Sequence, residues 1–71
     1  MTICPYCEQS SVAYVRLKSH PSIVFQMCFE CDSVWKADAS ISNDSGTNFV
    51  DFISEFGLTP DWDDVFFIKE S

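Results

Sequence analysis

Two cysteines three positions apart can bend around a single ion, and this chain sets up that arrangement twice, at Cys4-Pro5-Tyr6-Cys7 and Cys28-Phe29-Glu30-Cys31. The pairs use all four cysteines of the 71 residues and are separated by 20 residues, a spacing that closes one tetrahedral four-thiolate site. Pro5 presets φ for the tight turn that the first pair needs. Four soft sulfur ligands in tetrahedral array suit zinc and leave no position open for a substrate, so the expected cofactor is one structural zinc held by Cys4, Cys7, Cys28 and Cys31. A single domain this short buries too small a core to be comfortably stable alone, which is the physical reason for a metal staple.

Other uses of cysteine fit less well. The opening Met1-Thr2-Ile3-Cys4 carries neither a basic segment nor an apolar leader, which argues for a cytoplasmic protein and against disulfides. Cys4-Pro5-Tyr6-Cys7 resembles the active-site motif of glutaredoxins, but the next ten residues are rich in β-branched and aromatic side chains, and the second pair is left unexplained. Small acidic proteins with four cysteine ligands also resemble rubredoxins, although the gap between the pairs is shorter than theirs, so iron stands as the alternative ion.

Between the pairs the pattern is of strands. Ser11 to Leu17 alternates Val12, Tyr14 and Arg16 with Ala13, Val15 and Leu17, as expected of a strand buried mostly on one face. Lys18-Ser19-His20-Pro21-Ser22 reads as a turn, Ile23 to Met27 as the returning strand, and Ser33 to Lys36 as a third strand with Trp35 in the core near the site. Residues 1–36 thus resemble a zinc ribbon, in which two cysteine knuckles and their β-hairpins surround one zinc. The resemblance departs at one point. Ribbons often place glycine directly after the second cysteine of each knuckle, and here Glu8 and Asp32 stand there. Asp tolerates a left-handed backbone better than Glu does, so the first knuckle is expected to be looser or differently turned.

Residues 37–48 read as a loop and residues 49–71 as a helix followed by an apolar segment, all within one domain. Phe49, Phe52, Ile53 and Phe56 recur at helical spacing, with Asn48 or Thr47 as cap, Asp51 in the first turn and Gly57 as the stop. Thr59, as cap, and Pro60, at the first helical position, are expected to start a short helical turn over Thr59 to Asp64, and Val65 to Lys69 to form a buried strand. The expected fold is small α+β: zinc-ribbon hairpins, a short antiparallel sheet and one C-terminal amphipathic helix packed on it.

Charge separates the two halves. Residues 1–36 balance Glu8, Glu30 and Asp32 against Arg16, Lys18 and Lys36, so the whole net charge of −7 falls in residues 37–71. Four bases and a pI near 4.1 offer no footprint for nucleic acid, and the same deficit disfavours an anionic membrane surface. The lone histidine, His20, has no evident nucleophile or metal to serve, and Asp61, Asp63 and Asp64 lack the glycine of a calcium loop, so no enzyme is expected.

What fits is a binding protein whose acids and aromatic groups meet a basic partner. Candidate contact residues are Asp51, Glu55, Asp61, Trp62, Asp63 and Asp64. In size, charge and layout the chain resembles bacterial immunity proteins that neutralise toxic nucleases, including those of contact-dependent growth inhibition. That resemblance implies direct binding to a cognate basic toxin. A zinc-ribbon adaptor or regulator of transcription or another cellular machine is the other reading, and it would copurify with its machine in cells that carry no toxin gene.

Overall fold

The computed structural model describes residues 2–71. Six strands form one antiparallel sheet: β1 (Thr2–Ile3), β2 (Ser11–Leu17), β3 (Val24–Cys28), β4 (Ser33–Lys36), β5 (Thr47–Asn48) and β6 (Val65–Glu70). A single short helix, α1 (Phe49–Ser54), follows β5 directly, and a 3-10 turn (Trp62–Asp64) leads into β6. The fold is mostly β. β2 is its hub, pairing with β3 along one edge and with both β1 and β6 along the other.

Because successive side chains of a strand face opposite ways, the register divides the protein into two layers. On one face Ala13, Val15 and Leu17 of β2, Phe25 and Met27 of β3 and Val34 of β4 pack against Phe49, Phe52 and Ile53 of α1. On the other, Val12, Cys28 and Trp35 gather with Cys4, and Cys7, Ala39 and Ile41 pack around them. The opposed pairs Val12↔Cys28 and Gln26↔Trp35 place this second set on a common side.

α1 exists because its three buried side chains have somewhere to go. Phe25 lies 4.8 Å from Phe52 and 6.3 Å from Phe49, centroid to centroid, and each apolar group so buried contributes on the order of 2 kcal/mol. Asn48 caps the start: its Oδ1 accepts from the Asp51 amide at 2.8 Å and its Nδ2 donates to Asp51 Oδ2 at 3.0 Å. The helix ends earlier than the stripe suggests. Gly57, at φ +73°, supplies the left-handed stop, and Phe56 stays half exposed against Phe52.

Two expectations are corrected in the last third of the chain. The 3-10 turn is capped by Asp61, which accepts from the Asp63 amide at 3.0 Å, and not by Thr59 with Pro60 at its first position. An Asp two residues before an orphan amide closes an Asx turn more tightly than a threonine four residues away. Val65 to Lys69 does form a strand, but an exposed one, with Phe66, Phe67 and Ile68 each more than two-fifths accessible. It sits at the sheet edge, where a register shift opposite Tyr14 and Val15 interrupts the pairing. Its ring and cation find partners across the strand, since the Arg16 guanidinium lies 4.3 Å over Phe66 and Lys69 Nζ 5.4 Å over Tyr14.

The segment between β4 and β5 is also more ordered than a plain loop. Buried Gln26 donates from Nε2 to the carbonyls of Lys36 and Ala39, both at 3.0 Å. Trp35 Nε1 donates to the Ser42 carbonyl at 2.9 Å. Gly46 then lies so close to the Tyr6 and Trp35 rings that an added Cβ would stand 2.9–3.0 Å from them. The segment is thereby held over the cysteine face.

Candidate metal centre

The four sulfurs come from two turns of the same design. The Glu8 amide donates to the Cys4 carbonyl and the Asp32 amide to the Cys28 carbonyl, each at 2.9 Å, and both residues adopt left-handed backbone, at φ 55° and 61°. Amides of Tyr6 and Cys7 point at the Cys4 sulfur, and those of Glu30 and Cys31 at the Cys28 sulfur. The expected looseness of the first knuckle is therefore absent. A closed turn with amides aimed at sulfur outweighs the roughly 1–2 kcal/mol that a left-handed side chain costs, even for Glu.

β1 and β2 bring the first knuckle in, with the Cys4 amide donating to the Ser10 carbonyl at 2.9 Å, and the β3–β4 connection supplies the second. All four ligand atoms fall within 4.8 Å of one another. Across the knuckles, Cys4 to Cys31 and Cys7 to Cys28 are each 3.6 Å apart, sulfur to sulfur. An ion about 2.3 Å from each sulfur at a tetrahedral centre sets the sulfurs about 3.8 Å apart, so the cage fits such an ion. A disulfide needs about 2.05 Å, and all four cysteines are free. Nor does Cys4-Pro5-Tyr6-Cys7 precede a helix, as a glutaredoxin-like dithiol would; it lies between β1 and β2.

Burial grades the thiols. Cys4 and Cys28 are fully buried and Cys31 is exposed. Burial raises the Cys4 thiol above its ordinary range and pushes Cys28 up to about 12, against the pull of the knuckle amides. At Cys31 burial also acts upward, but the Ser33 hydroxyl, 3.1 Å away, and the Ser33 amide more than offset it and bring the thiol down to about 7. Without a cation the buried sulfurs keep their protons, so loading the cage must expel them.

The cage is tied to the rest of the fold. The Phe49 amide, at the start of α1, donates to the carbonyl of Asp32 at 2.9 Å, so the second knuckle carries the first turn of the helix. On the opposite flank Tyr6 stacks on Trp35 with centroids 5.8 Å apart.

The six candidate contact residues distribute unevenly. Asp61 and Asp64 come together at one pocket; Asp51, in α1, and Glu55, the residue that caps its end, lie outside the lining. Asp51 is engaged in the helix cap, while Glu55 and Asp63 are exposed. Trp62 is half exposed, with one face 4.8 Å from Phe49. Asp64 is a structural tie: it accepts from the Ser19 amide at 3.0 Å and from Ser19 Oγ at 2.5 Å, and its carbonyl accepts the Lys18 amide at 2.7 Å. His20 Nδ1 lies 2.9 Å from the same hydroxyl. Since the hydroxyl proton goes to the carboxylate, the imidazole donates to the serine, the reverse of a base-activated nucleophile.

Sequence reasoning missed Gln26, Ser19 and Gly46. A lone glutamine in a strand that is apolar on both faces was the available signal for the first; the other two depend on residues far away in the chain. No described helix is long and apolar enough to cross a membrane. The chain matches no protein-family model, and no curated protein or solved structure is similar enough to indicate kinship.

Proposed function

We propose that this chain is a protein-binding module stapled by one structural zinc, and that it serves as an immunity protein, neutralising a cognate basic toxin nuclease in the cytoplasm by direct contact. Cys4, Cys7, Cys28 and Cys31 would hold the zinc, which when bound supplies charge compensation for four thiolates and no open coordination position. The chain's own residues do the rest. The knuckle amides orient the sulfurs, Trp35 and Tyr6 cover them, and Asp32 anchors α1 and the acidic half that follows.

One observation carries the reading: the net charge of −7 belongs to residues 37–71, and there half-exposed Trp62 stands between Asp61 and Asp63 on one turn. Carboxylates around an aromatic anchor suit a basic surface, because charge steers encounter while the ring supplies a desolvated contact. Phosphate backbones would be repelled by the same field.

The test begins with the neighbouring gene. If a basic nuclease is encoded beside this chain, expressing that nuclease alone should arrest growth and coexpression should restore it. Association of the two purified proteins should slow at least about tenfold between low and high salt. Failure of rescue, or copurification with a host machine where no toxin gene exists, would overturn the immunity role. Elemental analysis with an absorption spectrum decides between zinc and iron.

A further inference from the structure

Beside Trp62 the fold leaves a pocket of about 350 Å³ between the end of β2, the helix and the 3-10 turn. That volume is at the small end for ligand sites, suited to one side chain rather than a whole cofactor. Its apolar lining is Leu17, Phe49, Ile53 and Leu58; the first three are buried and form the floor behind it, so the apolar surface it offers comes mainly from Leu58. Its polar lining is Asp61 and Asp64, with Ser19, His20 and Thr59.

We propose that this pocket receives an arginine side chain from the partner protein. The inference rests on the binding role given above and names the chemistry of one contact within it. The occupant needs a stem that can lie against Leu58 and a cationic head to meet two carboxylates. Guanidinium fits better than ammonium: it is more weakly hydrated, so it loses less on leaving water, and its planar fork of donors can serve two acceptors at once.

The acceptors are built in advance. Asp64 is fixed by the Ser19 amide and hydroxyl, and Asp61 by the Asp63 amide, so neither carboxylate must be ordered when the ligand arrives. In its neutral form His20, with Nδ1 facing Ser19, keeps Nε2 as a further acceptor. Two of the chain's four basic side chains are engaged elsewhere, Arg16 over Phe66 and Lys69 over Tyr14.

The probe is propylguanidinium, titrated into the metal-loaded full chain and followed through amide chemical shifts. Saturable shifts are expected at Ser19, Leu58 and Asp61, with guanidinium and propylurea each several-fold weaker because one lacks the stem and the other the charge. Asp61→Asn, which retains a capping oxygen, should weaken propylguanidinium about two- to fivefold, and Asp61→Asn with Asp64→Asn about tenfold. Equal shifts from propylurea, unchanged affinity in the Asn variants, or shifts confined to another surface would overturn the pocket. Tighter binding of butylammonium would overturn the choice of arginine. The binding role stands or falls separately on the coexpression result.

Discussion

The two faces of the sheet are held by different physics. The helix face has nine buried apolar residues from four elements, so each side chain is backed by several others. The cysteine face has four buried hydrophobic residues, two of them sulfur ligands, beside buried Gln26 and a segment draped over a single tryptophan. One face is a core; the other is a wrapper around a four-cysteine cage. What the difference teaches is where stability can reside: hydrophobic area on one side, and on the other, where packing is thin, four sulfurs placed to hold an ion. The faces share β2 and β3, however, so neither can fail alone.

The sharpest way to break this comparison is to strip the ion. Structural zinc sites of small domains contribute roughly 10–16 kcal/mol, so a strong chelator should unfold at least the first half of the chain. Circular dichroism and Trp35 fluorescence would follow it, and an apo protein with an unchanged melting midpoint would remove the distinction between the faces. Next in size is Phe25→Ala on the opposite face, which empties the contact with Phe49 and Phe52. It should cost about 3–5 kcal/mol in a denaturant melt run at saturating metal.

Acid sharpens the contrast further. The buried Cys4 and Cys28 thiols keep their protons until an ion displaces them, so affinity should fall by at least about a hundredfold for each unit the pH is lowered, tenfold for each of these two protons. Below the value of about 7 at Cys31 the slope should steepen by up to another tenfold per unit. A competition titration between pH 6 and 8 reads it directly, and a slope near zero would mean that the cage is already ionised.

Smaller effects probe the wrapper and the helix start. Gly46→Ala places a methyl against the Tyr6 and Trp35 rings and should cost about 1–3 kcal/mol, with a shift in Trp35 emission. Asn48→Ala removes the cap and should cost about 1 kcal/mol, read in the same melts. If Gly46→Ala were neutral, the segment over the cysteines would be a loose cover and not part of the structure.

The cysteine spacing, the alternation in Ser11 to Leu17 and the Asn48 cap were legible because each is local: the residues that make the feature are the residues that show it. The knuckle turns were misjudged from the side chains alone. Glu8 is a poor left-handed residue, but the preference is small beside the amide-to-sulfur bonds that the turn creates. Val65 to Lys69 reads correctly as a strand and wrongly as a buried one, since apolarity does not say whether a strand has one neighbour or two. The pocket was invisible for a different reason: Leu17, Ile53 and Asp64 meet only after β6 has returned to β2.

That return also brings the two ends of the described chain together. Thr2 Oγ1 donates to the Ser71 carbonyl at 3.3 Å, and the Ser71 amide donates to the Val12 carbonyl at 3.1 Å, with β1 and β6 lying end to end along one edge of β2. Residues 2–71 thus trace nearly a ring, and a ring has no privileged starting point. Joined at Ser71 and Thr2 by a short linker and opened at the exposed Pro21–Ser22 turn, it would present Cys28 and Cys31 before Cys4 and Cys7 and still close the same cage, because the ligands are ordered by space and not by synthesis.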